Sequence, residues 1–256
     1  MSTFLTSLAR AALRLAVIAC AAPAVHADAS DLCSSLPSHS ALKSALAQAR
    51  SAANGGFNTE MWGTIVNRNG IVCAVASTGA APGDQWPGSR LISAEKAYTA
   101  NAFSLPKLAV STANLYTATQ PGGPLFGLAE GNPLDVSTAY NGVAARFGTS
   151  DDPLVGNRVG GTITFGGGVP LYDSAHEIVG ALGVSGDSAC ADHNIAWRTR
   201  NILELDFVPA GINKDTSRGD NIIFDIIGGR SASGWGHASC GAGVAKIANA
   251  LPVTRK

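Results

Sequence analysis

The chain has 256 residues, 46% of them hydrophobic and only 14% charged, and its 18 basic side chains balance its 18 acidic ones. That composition excludes a disordered chain, and the balanced charge gives no footprint for nucleic acid or an anionic membrane surface. The remaining classes are those of a compact globular protein with a sizeable core.

The chain opens with Arg10 and Arg14, an apolar run from Leu15 to Val25, and Val25-His26-Ala27 before Asp28. A basic start, a short apolar run and a small-residue cleavage pattern predict a secretory signal peptide over residues 1–27, too short for an ordinary membrane span. Val17-Ile18-Ala19-Cys20 also resembles a lipidation box, which leaves a lipoprotein as the alternative. Cleavage removes two arginines and no acidic residue, so the mature chain carries a net charge of −2 and no membrane span. It is expected in the periplasm or the medium, as a single domain over 28–256. Four cysteines then remain, Cys33, Cys73, Cys190 and Cys240, an even number that predicts two disulfides in an exported protein. Spacing does not choose among the three pairings. A zinc site is disfavoured, because Cys190-x-x-His193 has no second pair at ligand spacing.

The first mature element is a helix capped by Ser38 or Ser40, with Leu42, Leu46, Ala49 and Ala53 on one face and Gly55-Gly56 ending it. Met61–Val66 and Ile71–Ala76 then read as strands joined through Asn67-Arg68-Asn69-Gly70, a tight-turn signal. A helix follows from Ser93 to Phe103, and Ser104-Leu105-Pro106 breaks it and starts another toward Tyr116. Between Ala118 and Val159 the periodicity disappears into Gly, Pro, Asn and Asp, with one short helix near 137–146. So long a segment in a compact domain is a candidate lid, or else a covering loop with nothing beneath it.

The stretch from Gly160 to His193 organises the rest. It reads as a buried hairpin, GGTITFGGGVPLY and EIVGALGVSG, entering a helix that Ser188 caps and that runs from Ala189 to Leu203. Gly166, Gly167 and Gly168 put no side chain between backbone and neighbour, so either a packed helix or a ligand approaches closely there, and Pro170 marks an edge or a bulge. The tail from Asp206 offers a strand from Asn221 (NIIFDII) and a last helix near 242–251. Hairpins with helices between them predict an α+β domain with an antiparallel sheet.

Four ordered motifs now carry a resemblance: Lys96-Ala97-x-Thr99-Ala100-x-x-Phe103; Gln120-Pro121-Gly122-Gly123-Pro124-Leu125-Phe126-Gly127; Phe165-Gly166-Gly167-Gly168-Val169-Pro170-Leu171; and Ile178-Val179-Gly180-Ala181-Leu182-Gly183-Val184-Ser185-Gly186, followed by Asp192. Together, over about Ala41 to Leu203, the chain resembles the GlcG/HbpS-like family of haem-binding proteins. The resemblance implies a profilin-like α+β fold, a five-stranded antiparallel sheet with helices on both faces, a homo-oligomer and a haem or related tetrapyrrole ligand, with slow peroxide-dependent haem breakdown in some members. The chain departs from the shorter members in an insertion over about 134–157, in its cysteines and in a C-terminal extension over 204–256 beyond the core of about 38–203.

A haem site needs apolar walls, donors for the propionates and at most two iron ligands. Phe103, Leu125, Phe126 and Phe165 are the candidate walls. Lys96 and the backbone around Gly166, Gly167, Gly168, Ser185 and Gly186 are candidates for the carboxylates, with Thr164 and Pro170 beside them. His193 is the first choice for iron among His39, His176, His193 and His237. The pocket is expected between the 93–116 helices and the 161–193 hairpin, under the 118–159 loop. Two enzyme readings compete with this. Gly183-Val184-Ser185-Gly186-Asp187 lacks the last glycine of a nucleophile elbow, and a Cys190, Asp192 and His193 thiol site needs a cysteine that export would oxidise. A small-metabolite or catabolic accessory protein, or a partner of a sensor or transporter, is the alternative that needs no haem and no catalytic residue.

Overall fold

The computed structural model describes residues 32–256, so the signal peptide expected over 1–27 lies outside the described residues. Four antiparallel strands form the main sheet in the order β2-β1-β4-β3, namely β1 (Trp62–Asn67), β2 (Val72–Ser77), β3 (Gly168–Tyr172) and β4 (Ile178–Ser185). Helix α1 (His39–Arg50) precedes them, α2 (Ser89–Phe103) separates β2 from β3, and the short α3 (Val136–Ala139) lies in the insertion. After the sheet come α4 (Ala189–Ile202) and α5 (Val244–Asn249). Among the described residues no helix is long and apolar enough to cross a membrane.

Alternation along β1 explains the layering, because successive side chains point to opposite faces. Ile65 joins Leu42, Leu46, Leu182, Val184 and Ile195 beneath α1 and α4, while Trp62 and Val66 join Ala94, Ala97, Ala100 and Ala181 beneath α2. Helices therefore cover both faces, as expected. Helix α2 turns Ser93, Ala94, Ala97 and Ala100 to the sheet along with Lys96, and its backbone lies against Gly168 and Gly183, where an added Cβ would overlap the Lys96 and Ser93 carbonyl oxygens. Close seating of this kind needs glycine in the strand.

The sheet has four strands rather than five. The GGTITF segment does not pair as a strand: Gly160 and Gly161 take positive φ, and Ile163 donates its N–H to Thr99 Oγ1 on α2. Its other backbone bonds go to Pro133 and Thr112. The second helix expected after Ser104 is also absent, because Ala109 donates to the Ala210 carbonyl and only 3₁₀ turns form, at Thr112–Leu115 and Thr117–Thr119. Helix α2 begins at Ser89, a turn before the expected start, where buried Arg90 pairs with Asp152 of the insertion. In the tail only Ile226–Ile227 (β5) pairs, with Arg230–Ser231 (β6), instead of a long strand from Asn221.

The cysteines pair Cys33 with Cys73 and Cys190 with Cys240, across 40 and 50 residues. Loop closure of that length stabilises by about 4 kcal/mol per bridge in the chain-entropy account. The second bridge ties the tail to the first turn of α4.

Candidate functional site

Seating α2 on the sheet forces Lys96 inward. Its side chain is fully buried, and Nζ donates to Asp192 Oδ2 at 2.7 Å and to the Val184 carbonyl at 3.1 Å. Asp192 Oδ1 in turn accepts the Asp187 N–H at 2.9 Å. Burial pushes Asp192 up to about 6 and Lys96 down, and the charge of each opposes the shift of the other. The Phe165 ring lies over Nζ, 4.8 Å from ring centre to nitrogen, and covers the pair from the solvent side.

The glycines pack rather than open. A Cβ on Gly166 would overlap the Ala189 carbonyl of α4, and one on Gly167 would meet the Val184 carbonyl and Lys96 Nζ. Of the two uses that three glycines allow, the helix contact is the one found. His193 is likewise buried, its Nε2 at 3.1 Å from both Asn221 Oδ1 and the Ile222 nitrogen, donating to the first or accepting from the second according to its tautomer, and its Nδ1 has no partner among the described residues. His237, from the tail, accepts the Gly166 N–H on Nε2 at 3.1 Å, and its Nδ1 meets the Ala238 carbonyl. Burial holds both imidazoles neutral, His193 lowered to about 3 and His237 to about 4.

These shifts set a pH dependence. Below pH 6.5 the unfolded histidines take up protons that the folded ones refuse, so their contribution is full above 6.5 and is lost as pH falls toward 4. Asp192 works in the opposite direction between about 6 and 3.8, where its folded state holds the proton more tightly. Two histidines outweigh the one carboxyl, so stability should fall as the pH drops from about 6 toward 4. Urea unfolding at pH 7.5, 6 and 5 measures it, and a stability that holds or rises on acidification contradicts the buried neutral histidines.

Outward from His237 the surface opens. Its ring stacks on that of Tyr116 at 4.6 Å between centroids. Beside Tyr116 lies a cavity of about 730 Å³, walled on one side by Gln120, Pro121 and Pro124 and on the other by Ile226, Arg230 and Trp235. One hydrogen bond joins the walls, Thr117 Oγ1 to the Gly236 carbonyl, and Thr119 Oγ1 ties the first wall to Thr164 Oγ1. The tail hairpin is held in shape by Asp225, which accepts from Ser231 Oγ and the Ser233 N–H, each at 2.7 Å.

The site residues expected from sequence do not form one pocket. Lys96, Phe165, Gly166, Gly167 and Gly168 cluster around the buried ion pair and reach the cavity through the Gly166 N–H on His237, which packs against Tyr116, while Thr164 bonds Thr119. Leu125 closes the turn after the Gln120–Pro124 wall by donating its N–H to the Ala118 carbonyl, and Phe126 is exposed. Phe103 ends α2, half-buried. Pro170 lies on the edge strand β3, as expected, with its carbonyl accepting from Arg200. Ser185 pairs with Trp62 at the far end of β4, and the Gly186 carbonyl accepts from Thr59. Of the expected lid over 118–159, Gln120–Pro124 forms a wall of this cavity, whereas the later part lies elsewhere: Phe147 stacks on Arg90, Val72 and residues 156–157 exchange backbone bonds, and the insertion bounds a separate cavity of about 580 Å³ with Trp62, Leu91 and Glu95. Sequence reading missed Tyr116, Arg230 and Trp235. The signal that pointed to the last two was a Gly/Ser-rich turn, Gly228 to Gly236, just before a cysteine.

Residues 38–200 match the model of a family described as haem degrading protein HbpS-like. Similar solved structures include a Klebsiella pneumoniae protein, ORFY, of the DUF336 family, at 21% identity over 65% of this chain and 90% of that one, with a TM-score of 0.44. A PduOC:haem complex matches at 22% identity over 65% of this chain and 94% of the other, with a TM-score of 0.44, and HbpS at 19% over 65% and 89%, with a TM-score of 0.40. Among curated proteins none matches the chain.

Proposed function

We propose, from the premise that the chain belongs to the HbpS-like family, that it is an exported haem-binding or related tetrapyrrole-binding protein, periplasmic or secreted. In this reading residues 28–256 form one profilin-like domain that works as a homo-oligomer. The observation that carries the reading is the cavity on the Gln120–Pro124 segment. Its volume lies in the range of small-molecule sites, and aromatic rings, two prolines and an arginine share its lining.

The residues present fit a haem. Trp235, Ile226, Pro121 and Pro124 supply apolar walls for a macrocycle, and Arg230 supplies a fork that matches a propionate. The smaller cavity under the insertion fits less well, because Glu95 lines it and Arg90 there is already paired with Asp152. Bound haem iron would supply the redox chemistry of any peroxide-dependent breakdown, while the chain's own residues hold and orient the ring. Two disulfides support an oxidising compartment.

Haemin titration of the purified protein tests the reading. A saturable Soret shift is expected, and Arg230→Ala should weaken binding by about tenfold, equivalent to about 1.4 kcal/mol. A folded protein with no saturable shift overturns the assignment, and an Arg230→Ala variant with unchanged affinity removes the propionate from that wall.

A further inference from the structure

The haem reading leaves the iron ligand open, and the expected choice, His193, does not reach the cavity. It is fully buried, with Nε2 committed to Asn221 and Ile222. The other described histidines are no better placed. His237 is buried with both nitrogens engaged, His39 Nε2 bonds the Gly148 carbonyl on the insertion side, and His176 sits in the β3–β4 turn against the Phe207 carbonyl. The described cysteines are in disulfides, and Met61 is in the core.

Resting on the haem reading, we infer that Tyr116 is the axial ligand of the iron, bound through its phenolate oxygen. Tyr116 lines the cavity, and its hydroxyl makes no hydrogen bond to any described residue. Its backbone is fixed from both directions: the N–H donates to the Ala113 carbonyl, and its own carbonyl accepts from Thr119 Oγ1 and Gln120 Nε2, each at 3.1 Å. The ring is fixed as well, by the stack on His237, which is itself locked by Gly166 and Ala238. A phenol held at its root and face on the wall of a cavity, its oxygen without a partner among the described residues, is a preorganised hard donor, and a phenolate is a known ligand of ferric haem. Arg230 shares the cavity, so a propionate and the iron can be engaged by the same ring. Ligation breaks the phenol O–H bond, releases the proton to water and forms the O–Fe bond, with no change in the oxidation state of the ferric iron.

The test compares wild type, Tyr116→Phe and Tyr140→Phe, the last an exposed tyrosine at the insertion cavity. Each is titrated with haemin and followed by visible absorption and by resonance Raman in the phenolate region. Phenolate modes are expected in wild type and in Tyr140→Phe, and their loss is expected in Tyr116→Phe, with affinity at least tenfold weaker and the fold unchanged by circular dichroism. A wild-type complex without phenolate modes, or a Tyr116→Phe complex with the wild-type spectrum and affinity, overturns the ligand while leaving haem binding intact. A folded wild type that takes up no haemin overturns the haem reading itself.

Discussion

Replacing Lys96 with alanine is expected to cost the fold about 3–5 kcal/mol, because it leaves the Asp192 carboxylate buried without its cation. Both side chains are excluded from solvent, and Nζ also satisfies the Val184 carbonyl, so the loss strands two acceptors at once. The double variant Lys96→Met with Asp192→Asn should recover at least half of that loss, since the amide still accepts the Asp187 N–H and no charge is left alone. Urea unfolding measures both. A single variant that loses less than about 1 kcal/mol, or a double variant as unstable as the sum of its parts, rules out a coupled buried pair. The same variants separate the two uses of this lysine. A propionate partner would lose haemin affinity at unchanged stability, whereas the observed geometry places the loss in stability.

Gly183→Ala is expected to destabilise by about 3 kcal/mol or more, through overpacking where no neighbour is able to yield. The added methyl would overlap the Ser93 carbonyl and the Ala97 amide, which are backbone atoms of α2 rather than side-chain tips. Helix and sheet have to separate. Gly88→Ala, just ahead of α2 with φ −65° and open space around it, should change stability by no more than about 0.5 kcal/mol. Equal effects at the two positions would contradict the close seating of the helix. A large loss at Gly183 alone, with the Tyr116 cavity merely displaced, would show how far the position of that cavity depends on α2.

Much of the fold was legible because its signals are local. The α1 cap at Ser38, the Asn67–Gly70 turn and the Ser188 cap of α4 each rest on a few neighbouring residues, and each was found where expected. The errors fall where a distant partner decided the backbone. Residues 160–165 have strand-like composition, yet their hydrogen bonds go to Thr99 of α2, Thr112, Thr119 and Pro133 rather than to a strand, and the 104–111 segment is drawn out by the tail at Ala210. Periodicity reports which face is apolar and says nothing about which donor an N–H will find.

The candidate site divides in the same way. Phe165, the three glycines and the Gln120–Pro124 segment were visible as motifs, and the structure separates them: the segment walls the cavity, whereas the glycines pack against α4, β4 and α2. The opposite wall comes from residues more than one hundred positions later, brought there by the Cys190–Cys240 bridge and by His237 on Gly166. Nothing in their own spacing announces that meeting.

By itself, then, the sequence determined the family, the α+β class, the even set of cysteines and the local caps and turns, all properties of short-range pattern and residue type. The disulfide pairing, the turning inward of Lys96 to Asp192, the packing use of Gly166, Gly167 and Gly168, and the meeting of Tyr116 and Arg230 on one cavity arise from long-range contacts. Those depend on which surfaces meet once α2 seats on the glycines of the sheet and the tail folds back over α4, and burial, which sets the charges and frees or occupies each donor, exists only after they have met.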